Sequence, residues 1–270
     1  MCSRTESPAT VIDVDGQLLR VAVKPAADAT PPLLLLNGLG ANLELLEPFV
    51  DALGENVGTI RIDLPGVGGS PPPPLPLRMP GLARLVARAL ERVGYADVDV
   101  LGISWGGALA QQFAYQCAER CRRLILVSTG TGACMVPGRP DALLMLASPR
   151  RYLDATYMAS VAPHLYGGRM RSLPELARKY ARSAWSGGAR GYYGQLFAGV
   201  GWTSIHWLWR LRQPTLIMSG RDDPIVPWIN GWIMARLIRD SRLHIFNDGH
   251  LGLMTSAAEL APIVRAFLEE

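Results

Sequence analysis

Residues 98–107 read Val-Asp-Val-Leu-Gly-Ile-Ser-Trp-Gly-Gly, and no other stretch of this 270-residue chain says as much about its architecture. An apolar run leads into Gly-x-Ser-x-Gly, and an alanine-rich stretch with helical character follows directly. This order predicts a strand, a tight turn and a helix, with the hydroxyl of Ser104 lifted clear of its neighbours. Glycine is needed at positions 102 and 106 because a Cβ there would collide as the backbone doubles back. Ser104 is therefore the candidate nucleophile.

Strand and helix patterns alternate on both sides of this turn. Asp15-Gly16 is a two-residue hairpin signal between strands predicted at 10–14 and 17–23. The unbroken run Leu33 to Leu36 is typical of a strand buried on both faces. Further strands are predicted at 57–62, 98–101, 124–127, 214–218 and 243–246, and helices at 43–53, 82–93, 108–118, 228–239 and 257–268. The alternation predicts an α/β fold with a mostly parallel, doubly wound sheet.

The alternation stops near Thr131 and returns at Pro214. We therefore expect residues 1–130 and 213–270 to form one α/β core, with residues 131–212 inserted as a mainly helical cap. The interval holds 11 of the 20 aromatic residues, and it carries ten arginines and one lysine against three acidic residues. Cap and core are therefore expected to differ in both packing and charge.

The aromatic residues of the cap have two interpretations. Tryptophan and tyrosine at helical spacing usually pack in a core. They are also suited to line an apolar mouth over a reactive centre, where they would contact a hydrophobic substrate. Both can hold at once, and the candidates for substrate contact are Trp185, Tyr193, Trp202 and Trp207.

A serine hydroxyl needs a positioned base, and the base needs an acid that fixes its tautomer. His250 follows the end of the last predicted strand, where a loop reaches the same sheet edge as Ser104, and it is the candidate base. The acid comes from the pair Asp222 and Asp223 after the preceding strand. Asp223 is preferred because a residue before proline is held extended and so has a fixed direction. Asp222 is then an exposed turn residue, and Asp248 is a turn former.

Two backbone N–H groups are expected to stabilise the developing oxyanion. One belongs to Trp105, and the other belongs to Leu39 in the loop Asn37-Gly38-Leu39-Gly40 after the buried strand. The alternative for this loop is a simple strand-ending turn. A second glycine-rich loop, residues 63–70, lacks the Lys-Ser/Thr ending of a phosphate-binding loop and is predicted to be a structural bend.

Composition argues against several classes of protein. No apolar run reaches the roughly 18 to 20 residues of a membrane span, and the N-terminus lacks the apolar segment of a signal peptide, so a cytoplasmic protein is expected. The four cysteines form no Cys-x-x-Cys pair, and Cys117 with Cys121 makes a poor zinc site, so we expect no metal and no cofactor. The net charge of +4 comes with no nucleic-acid-binding motif, and nucleic acid is not an expected partner.

Together these motifs resemble the α/β-hydrolase superfamily, and five longer strings narrow the resemblance. The strings are Asn37 to Glu44, Pro65 to Ser70, Gly102 to Phe113, Ala147 to Tyr152 and Gly199 to Leu208. They resemble the intracellular depolymerases of medium-chain-length poly(3-hydroxyalkanoate), and the similarity spans nearly the whole chain, cap included. The chain departs from the family pattern in the proline run 71–74 and in Ile103, where valine is expected.

The resemblance implies a serine hydrolase that acts on a hydrophobic polyester at the surface of storage granules in the cytoplasm. Its catalytic triad would be Ser104, Asp223 and His250, and its products would be 3-hydroxy acids or oligomers released from an acyl-enzyme. The same constellation also serves small-molecule carboxylesterases and C–C bond hydrolases, which stay as the alternative. A third hypothesis is a non-catalytic coat protein that binds granules through its aromatic cap.

Overall fold

The computed structural model of the protein describes residues 9–26, 30–147, 150–173, 175 and 188–270. Its strands are β1 (Thr10–Val14), β2 (Gln17–Lys24), β3 (Leu33–Leu36), β4 (Thr59–Ile62), β5 (Val98–Ile103), β6 (Cys121–Val127), β7 (Thr215–Gly220) and β8 (Ser241–Phe246). They form one sheet in the order β1-β2-β4-β3-β5-β6-β7-β8. β2 is antiparallel to both of its neighbours, and the pairings from β4 to β8 are parallel. The predicted α/β sheet with its N-terminal hairpin is confirmed.

The register brings the ends of several strands to one edge of the sheet. Leu36, the last residue of β3, pairs with Gly102 of β5, so the loop after β3 starts beside the turn that carries Ser104. At the other side of the sheet, Gly220 at the end of β7 pairs with Phe246 at the end of β8. Because carboxyl ends of parallel strands share an edge, loops that are far apart in sequence meet there.

The helices are α1 (Glu47–Leu53), α2 (Met79–Arg92), α3 (Trp105–Gln116), α4 (Pro140–Leu146), α5 (Arg150–Leu153), α6 (Ala155–Tyr166), α7 (Ala189–Gly199), α8 (Ile229–Leu237), α9 (Gly252–Thr255) and α10 (Ala257–Glu269). Short 3-10 turns lie at Leu43–Leu46, Ala118–Arg120, Gly168–Arg171 and Leu208–Arg210. Within the described ranges, no helix combines the length and the apolar character that crossing a lipid bilayer requires.

Two helices begin earlier than the ranges 82–93 and 108–118 predicted from hydrophobic periodicity, although the strand–turn–helix order at Ser104 already places a helix directly after it. α2 starts at Met79 because Pro80 occupies its first turn, where the missing N–H has no intrahelical partner to lose. α3 starts directly after Ser104, with Gly106 and Gly107 in its first turn. A side chain on Gly107 would collide with Thr129, so these glycines let the helix pack closely on the sheet.

Helices cover both faces of the sheet. One hydrophobic cluster packs α2, α3 and α8 on one face, and a second packs α1 and α10 on the other. All four residues of β3 are buried between these layers, as the unbroken leucine run predicts.

Residues 131–212, which we call the cap segment, connect β6 to β7 and include α4 to α7. An isolated bridge pairs Gly132 with Thr203, so the two ends of the segment lie side by side. A third hydrophobic cluster joins residues of the segment, including Tyr192, to core residues such as Leu45. The described part of the cap segment therefore packs apolar side chains on the loops at the carboxyl edge of the sheet.

Candidate active site

Ser104 lies at the junction of β5 and α3, with backbone angles φ 54° and ψ −120°. Positive φ is uncommon for a residue with a side chain, and the surrounding bonds hold it in place. Its N–H donates to the Val127 carbonyl at 2.9 Å, and its carbonyl accepts the Thr129 hydroxyl at 2.7 Å. A Cβ on Gly102 would meet the backbone of Gly106, and one on Gly106 would meet carbonyl oxygens at the end of β3. The glycines thus have the role that the motif predicts.

His250, in the loop after β8, connects two other side chains. Its Nε2 lies 2.9 Å from Oγ of Ser104, and its Nδ1 lies 2.8 Å from Oδ2 of Asp223. The other carboxylate oxygen of Asp223 accepts the N–H groups of Ile225 and Val226, each at 2.9 Å. His250 is 4% exposed and Asp223 is 7% exposed, so water competes little for these bonds. In such an arrangement the imidazole can take the serine proton while the carboxylate orients the ring.

The two other aspartates near His250 bind the cap segment. Asp222 accepts the first N–H of the 3-10 turn Gly168–Arg171 at 2.8 Å. Asp248 is buried and accepts a second N–H of the same turn at 2.8 Å, together with the hydroxyls of Thr255 and Ser256, each at 2.6 Å. Asp248 therefore does more than form the predicted turn, because it also holds the cap segment through Arg169. No sequence pattern indicated this distant contact.

The loop after β3 lies against the nucleophile. A Cβ built on Gly38 would be 3.6 Å from Cβ of Ser104. The buried carboxamide of Asn37 accepts the Gly38 N–H at 2.9 Å and donates to a carbonyl five residues further on at 2.6 Å. Trp105 is the first residue of α3, a position where the N–H has no intrahelical acceptor. Leu39 and Trp105 line one cavity with Ser104, and their N–H groups stay the predicted oxyanion donors.

A cavity of about 260 Å³ opens at Ser104 and His250. Its wall is mainly apolar and includes the side chains of Met79, Met135, Leu143, Leu146, Val226 and Met254. Among the described residues that line it, none is aspartate, glutamate, lysine or arginine. The cavity is therefore suited to an uncharged, hydrophobic ligand, and its methionines adapt readily to irregular shapes.

The four aromatic residues predicted to contact substrate have different locations. Trp202 lines the cavity, whereas Tyr193 and Trp207 do not belong to its described lining. Trp207 is 6% exposed and stacks on Tyr115 of α3 with ring centroids 4.5 Å apart, so it packs in the core. Tyr193 is half exposed on α7. Trp185 lies outside the described residues.

Sequence reasoning missed the contribution of several residues to this cavity. Met79 is the first residue of α2, and Met254 comes from the four-residue helix α9. Tyr166, at the end of α6, places its ring 6.3 Å from that of His250 at an interplanar angle of 16°. No local pattern marks these three residues, because only the meeting of separate elements brings them to the cavity.

The glycine-rich loop 63–70 is a bend built around Asp63. The Asp63 carboxylate accepts the N–H groups of Leu43 at 2.8 Å and Gly69 at 2.9 Å, and it also contacts the guanidinium of Arg20 at 3.2 Å. Burial raises the pKa of the Asp63 carboxyl above its ordinary value, although these partners oppose the shift. The loop thus supports the sheet, in agreement with the predicted structural bend.

The chain is similar to known proteins along nearly its whole length. Residues 31–257 match the alpha/beta hydrolase fold family. A poly(3-hydroxyalkanoate) depolymerase from Ectopseudomonas oleovorans is 52% identical over 259 residues, which cover 96% of this chain and 92% of that protein. A 3-oxoadipate enol-lactonase 2 from Acinetobacter baylyi is 26% identical, with 82% of each chain covered.

Solved structures show the same fold. The crystal structure of the enol-lactonase from Burkholderia xenovorans LB400 superposes with a TM-score of 0.84 at 23% identity, covering 97% of this chain and 100% of that one. The chain therefore belongs to the alpha/beta hydrolase family, as a relative of the poly(3-hydroxyalkanoate) depolymerases, and it is an ester hydrolase.

Proposed function

We propose that this enzyme depolymerises medium-chain-length poly(3-hydroxyalkanoate) through a covalent acyl-enzyme on Ser104. The observation that carries the proposal is the hydrogen-bonded chain from Ser104 through His250 to Asp223, which opens onto an apolar cavity. The chain of bonds supplies an activated serine, and the cavity suits a hydrophobic ester. The depolymerase from E. oleovorans supports the same class of substrate.

Acylation begins when Nε2 of His250 takes the proton of Ser104 as the serine oxygen attacks the ester carbonyl carbon. Asp223 stabilises the imidazolium that forms and keeps the ring in the required tautomer. When the tetrahedral intermediate collapses, the bond to the alcohol end of the polymer breaks and His250 returns the proton to that oxygen. Ser104 then carries the acyl group as an ester.

Deacylation repeats these steps with water as the nucleophile. His250 takes a proton from water, and the resulting hydroxide attacks the acyl carbon on Ser104. The proton returns to the serine oxygen as the acyl bond breaks. The product is a 3-hydroxy acid or a short oligomer, and the enzyme is restored.

The oxyanion of both intermediates is stabilised by the N–H groups of Trp105 and Leu39. The N-terminus of α3 adds its positive dipole end at the same point. A single donor of this kind typically lowers the barrier by about 3 to 4 kcal/mol. The loop after β3 therefore contributes to the rate together with the side chains of the relay.

The charge of the cavity supports a neutral substrate. A small substrate with carboxylates would need a cationic partner to replace its lost hydration. The described lining offers no lysine or arginine, whereas its methionine and leucine side chains suit an alkyl substituent. We place the reaction at the granule surface in the cytoplasm, with residues 131–212 as a cap subdomain on a core of residues 1–130 and 213–270.

Replacing Ser104 by alanine tests the proposal. We expect wild-type protein to release 3-hydroxy acids or oligomers from native granules and S104A to release none above background, measured by mass spectrometry of the supernatant. S160A is the matched control, because Ser160 is exposed on α6, and it should act at the wild-type rate. Acid release by S104A at the wild-type rate contradicts the proposal.

A soluble p-nitrophenyl ester separates the alternatives. Turnover of that ester with the polymer untouched would identify a small-molecule carboxylesterase on the same site. Granule binding without hydrolysis, by wild type and S104A equally, would identify a coat protein. Both results would overturn the depolymerase assignment.

A further inference from the structure

Gln195 of α7 bonds to both sides of the predicted oxyanion hole. Its side-chain oxygen Oε1 accepts the N–H of Gly40 at 2.7 Å. Its backbone carbonyl accepts the indole N–H of Trp105 at 3.0 Å. Gln195 is 4% exposed, so these bonds are shielded from water. One residue of the cap segment thus contacts the loop after β3 and the residue that follows the nucleophile.

The bond to Gly40 restrains the neighbouring oxyanion donor. Gly40 has φ +73°, a left-handed conformation that glycine adopts without strain. Its N–H belongs to the same planar peptide unit as the carbonyl of Leu39, so fixing that N–H restricts rotation about the Leu39 backbone. Asn37 holds the loop from within, and Gln195 holds it from the cap segment.

The position of Gln195 depends on how α7 rests on the core. A Cβ on Gly191 would collide with the backbone of Gly66, so the two backbone segments are in direct contact. The guanidinium of Arg190 donates to two carbonyls of the proline run 71–74, at 3.2 and 3.0 Å. These contacts fix the position of α7 on the core. If the helix moved away, both hydrogen bonds of Gln195, to Gly40 and to Trp105, would break.

We propose that Gln195 is a positioning residue that completes the oxyanion hole, so that the hole has its working geometry only while α7 is seated on the core. Gln195 acts through Gly40 and Trp105 and contacts no reacting atom. The inference rests on the proposed ester hydrolysis. It makes the cap segment part of the carbonyl-binding apparatus as well as a wall of the cavity.

Three variants of the full chain test this inference with p-nitrophenyl butyrate. Q195M keeps the size of the side chain and removes the acceptor, whereas Q195E keeps an oxygen acceptor at the same reach. Q213M is the matched control, because Gln213 is 5% exposed and its amide bonds to backbone carbonyls at the far end of α3. The Q213M variant should have a lower free energy of unfolding than wild type and an unchanged kcat.

We expect Q195M to lower kcat about tenfold or more, part of the loss that removing an oxyanion donor causes. KM should change by less than about twofold, because the bond matters to the transition state more than to substrate binding. Q195E should lose less kcat than Q195M, because its carboxyl oxygen still accepts the Gly40 N–H. An unchanged kcat in Q195M, or an equal loss in Q213M, overturns the inference.

The rate of amide hydrogen exchange at Gly40, measured by NMR, reports how well the loop after β3 is ordered. This measurement does not depend on catalytic activity. Exchange should be faster in Q195M than in wild type and Q213M, and unchanged exchange overturns the inference. A wild-type protein inactive on every ester contradicts the proposed function instead. Exchange at Gly40 then still decides whether Gln195 orders the loop.

Discussion

The proposed acid-base half of the site and the proposed oxyanion half are assembled from different parts of the chain. The side-chain bonds of His250 join Ser104 and Asp223, which lie in loops directly after strands of the sheet. The loop after β3 and the indole of Trp105 instead both bond to Gln195 of the cap segment. A rigid sheet sets the angles of the proton relay, whereas the carbonyl-binding side depends on how the cap segment sits. Variants should therefore perturb the two halves separately.

Among the variants that separate the two halves, D223N is expected to have the largest effect. Asparagine stabilises the wrong tautomer of His250, so kcat should fall about 10⁴-fold while the oxyanion side stays intact. Steady-state kinetics with p-nitrophenyl butyrate measure the loss. D222N is the matched control, because Asp222 bonds to the turn Gly168–Arg171. Equal losses in the two variants would show that Asp223 is not the acid.

Two glycine substitutions compare the tightly packed turn at Ser104 with the surface of α7. They are expected to change the free energy of unfolding in opposite directions. In G106A, the new Cβ would meet carbonyl oxygens of Leu36 and Asn37, which the sheet holds in place, so the free energy of unfolding should fall by about 3 kcal/mol or more. Gly194, inside α7, faces open space, and G194A should raise the free energy of unfolding by about 0.5 to 1 kcal/mol. Urea unfolding measures both. A G106A protein of wild-type stability would refute the close packing of the turn.

The junction between cap segment and core is tested by Asp248. Its carboxylate accepts several donors in a buried position, and asparagine would turn an NH₂ group toward some of them. D248N should therefore lose about 2 kcal/mol of unfolding free energy. D222N, at an exposed position, should lose less than about 0.5 kcal/mol. The ranking is measured by urea unfolding, and the reverse order would mean that the exposed aspartate holds the junction.

The smallest effect is expected at the surface of the cap segment. The hydrogen bond with His164, aided by Arg139, holds the pKa of the Asp141 carboxyl well below its ordinary 3.8. A carboxyl with a lowered pKa stabilises the fold above its unfolded value and loses that contribution as the pH falls through the folded value. D141N should unfold at slightly lower urea than wild type at pH 7, and the difference should shrink at pH 3. A difference that grows on acidification contradicts this assignment.

Features encoded by a few neighbouring residues were accessible from the sequence. The turn at Ser104 follows from two glycines between a strand and a helix, and the buried strand Leu33–Leu36 follows from its unbroken apolar run. Asp223 and His250 could be selected because each follows a predicted strand at the carboxyl edge. For the turn and the strand, the backbone constraint acts over a few residues. His250 and Ser104 are 146 positions apart, and their meeting follows from the predicted parallel sheet, whose strands end at one edge.

Contacts between distant elements were not accessible where the sheet topology does not impose them. Trp202 and Trp207 are five residues apart and of one type, yet the first lines the cavity and the second packs in the core. The side chain of Gln195 bonds to Gly40, 155 positions away, and that of Asp248 bonds to Arg169, 79 positions away. Such bonds depend on how whole helices pack over the sheet, and that packing is a sum over many contacts that no local pattern contains. The sheet topology that the sequence predicts thus accounts for the proposed proton relay, whereas the position of the cap segment arises from the packing of the whole fold.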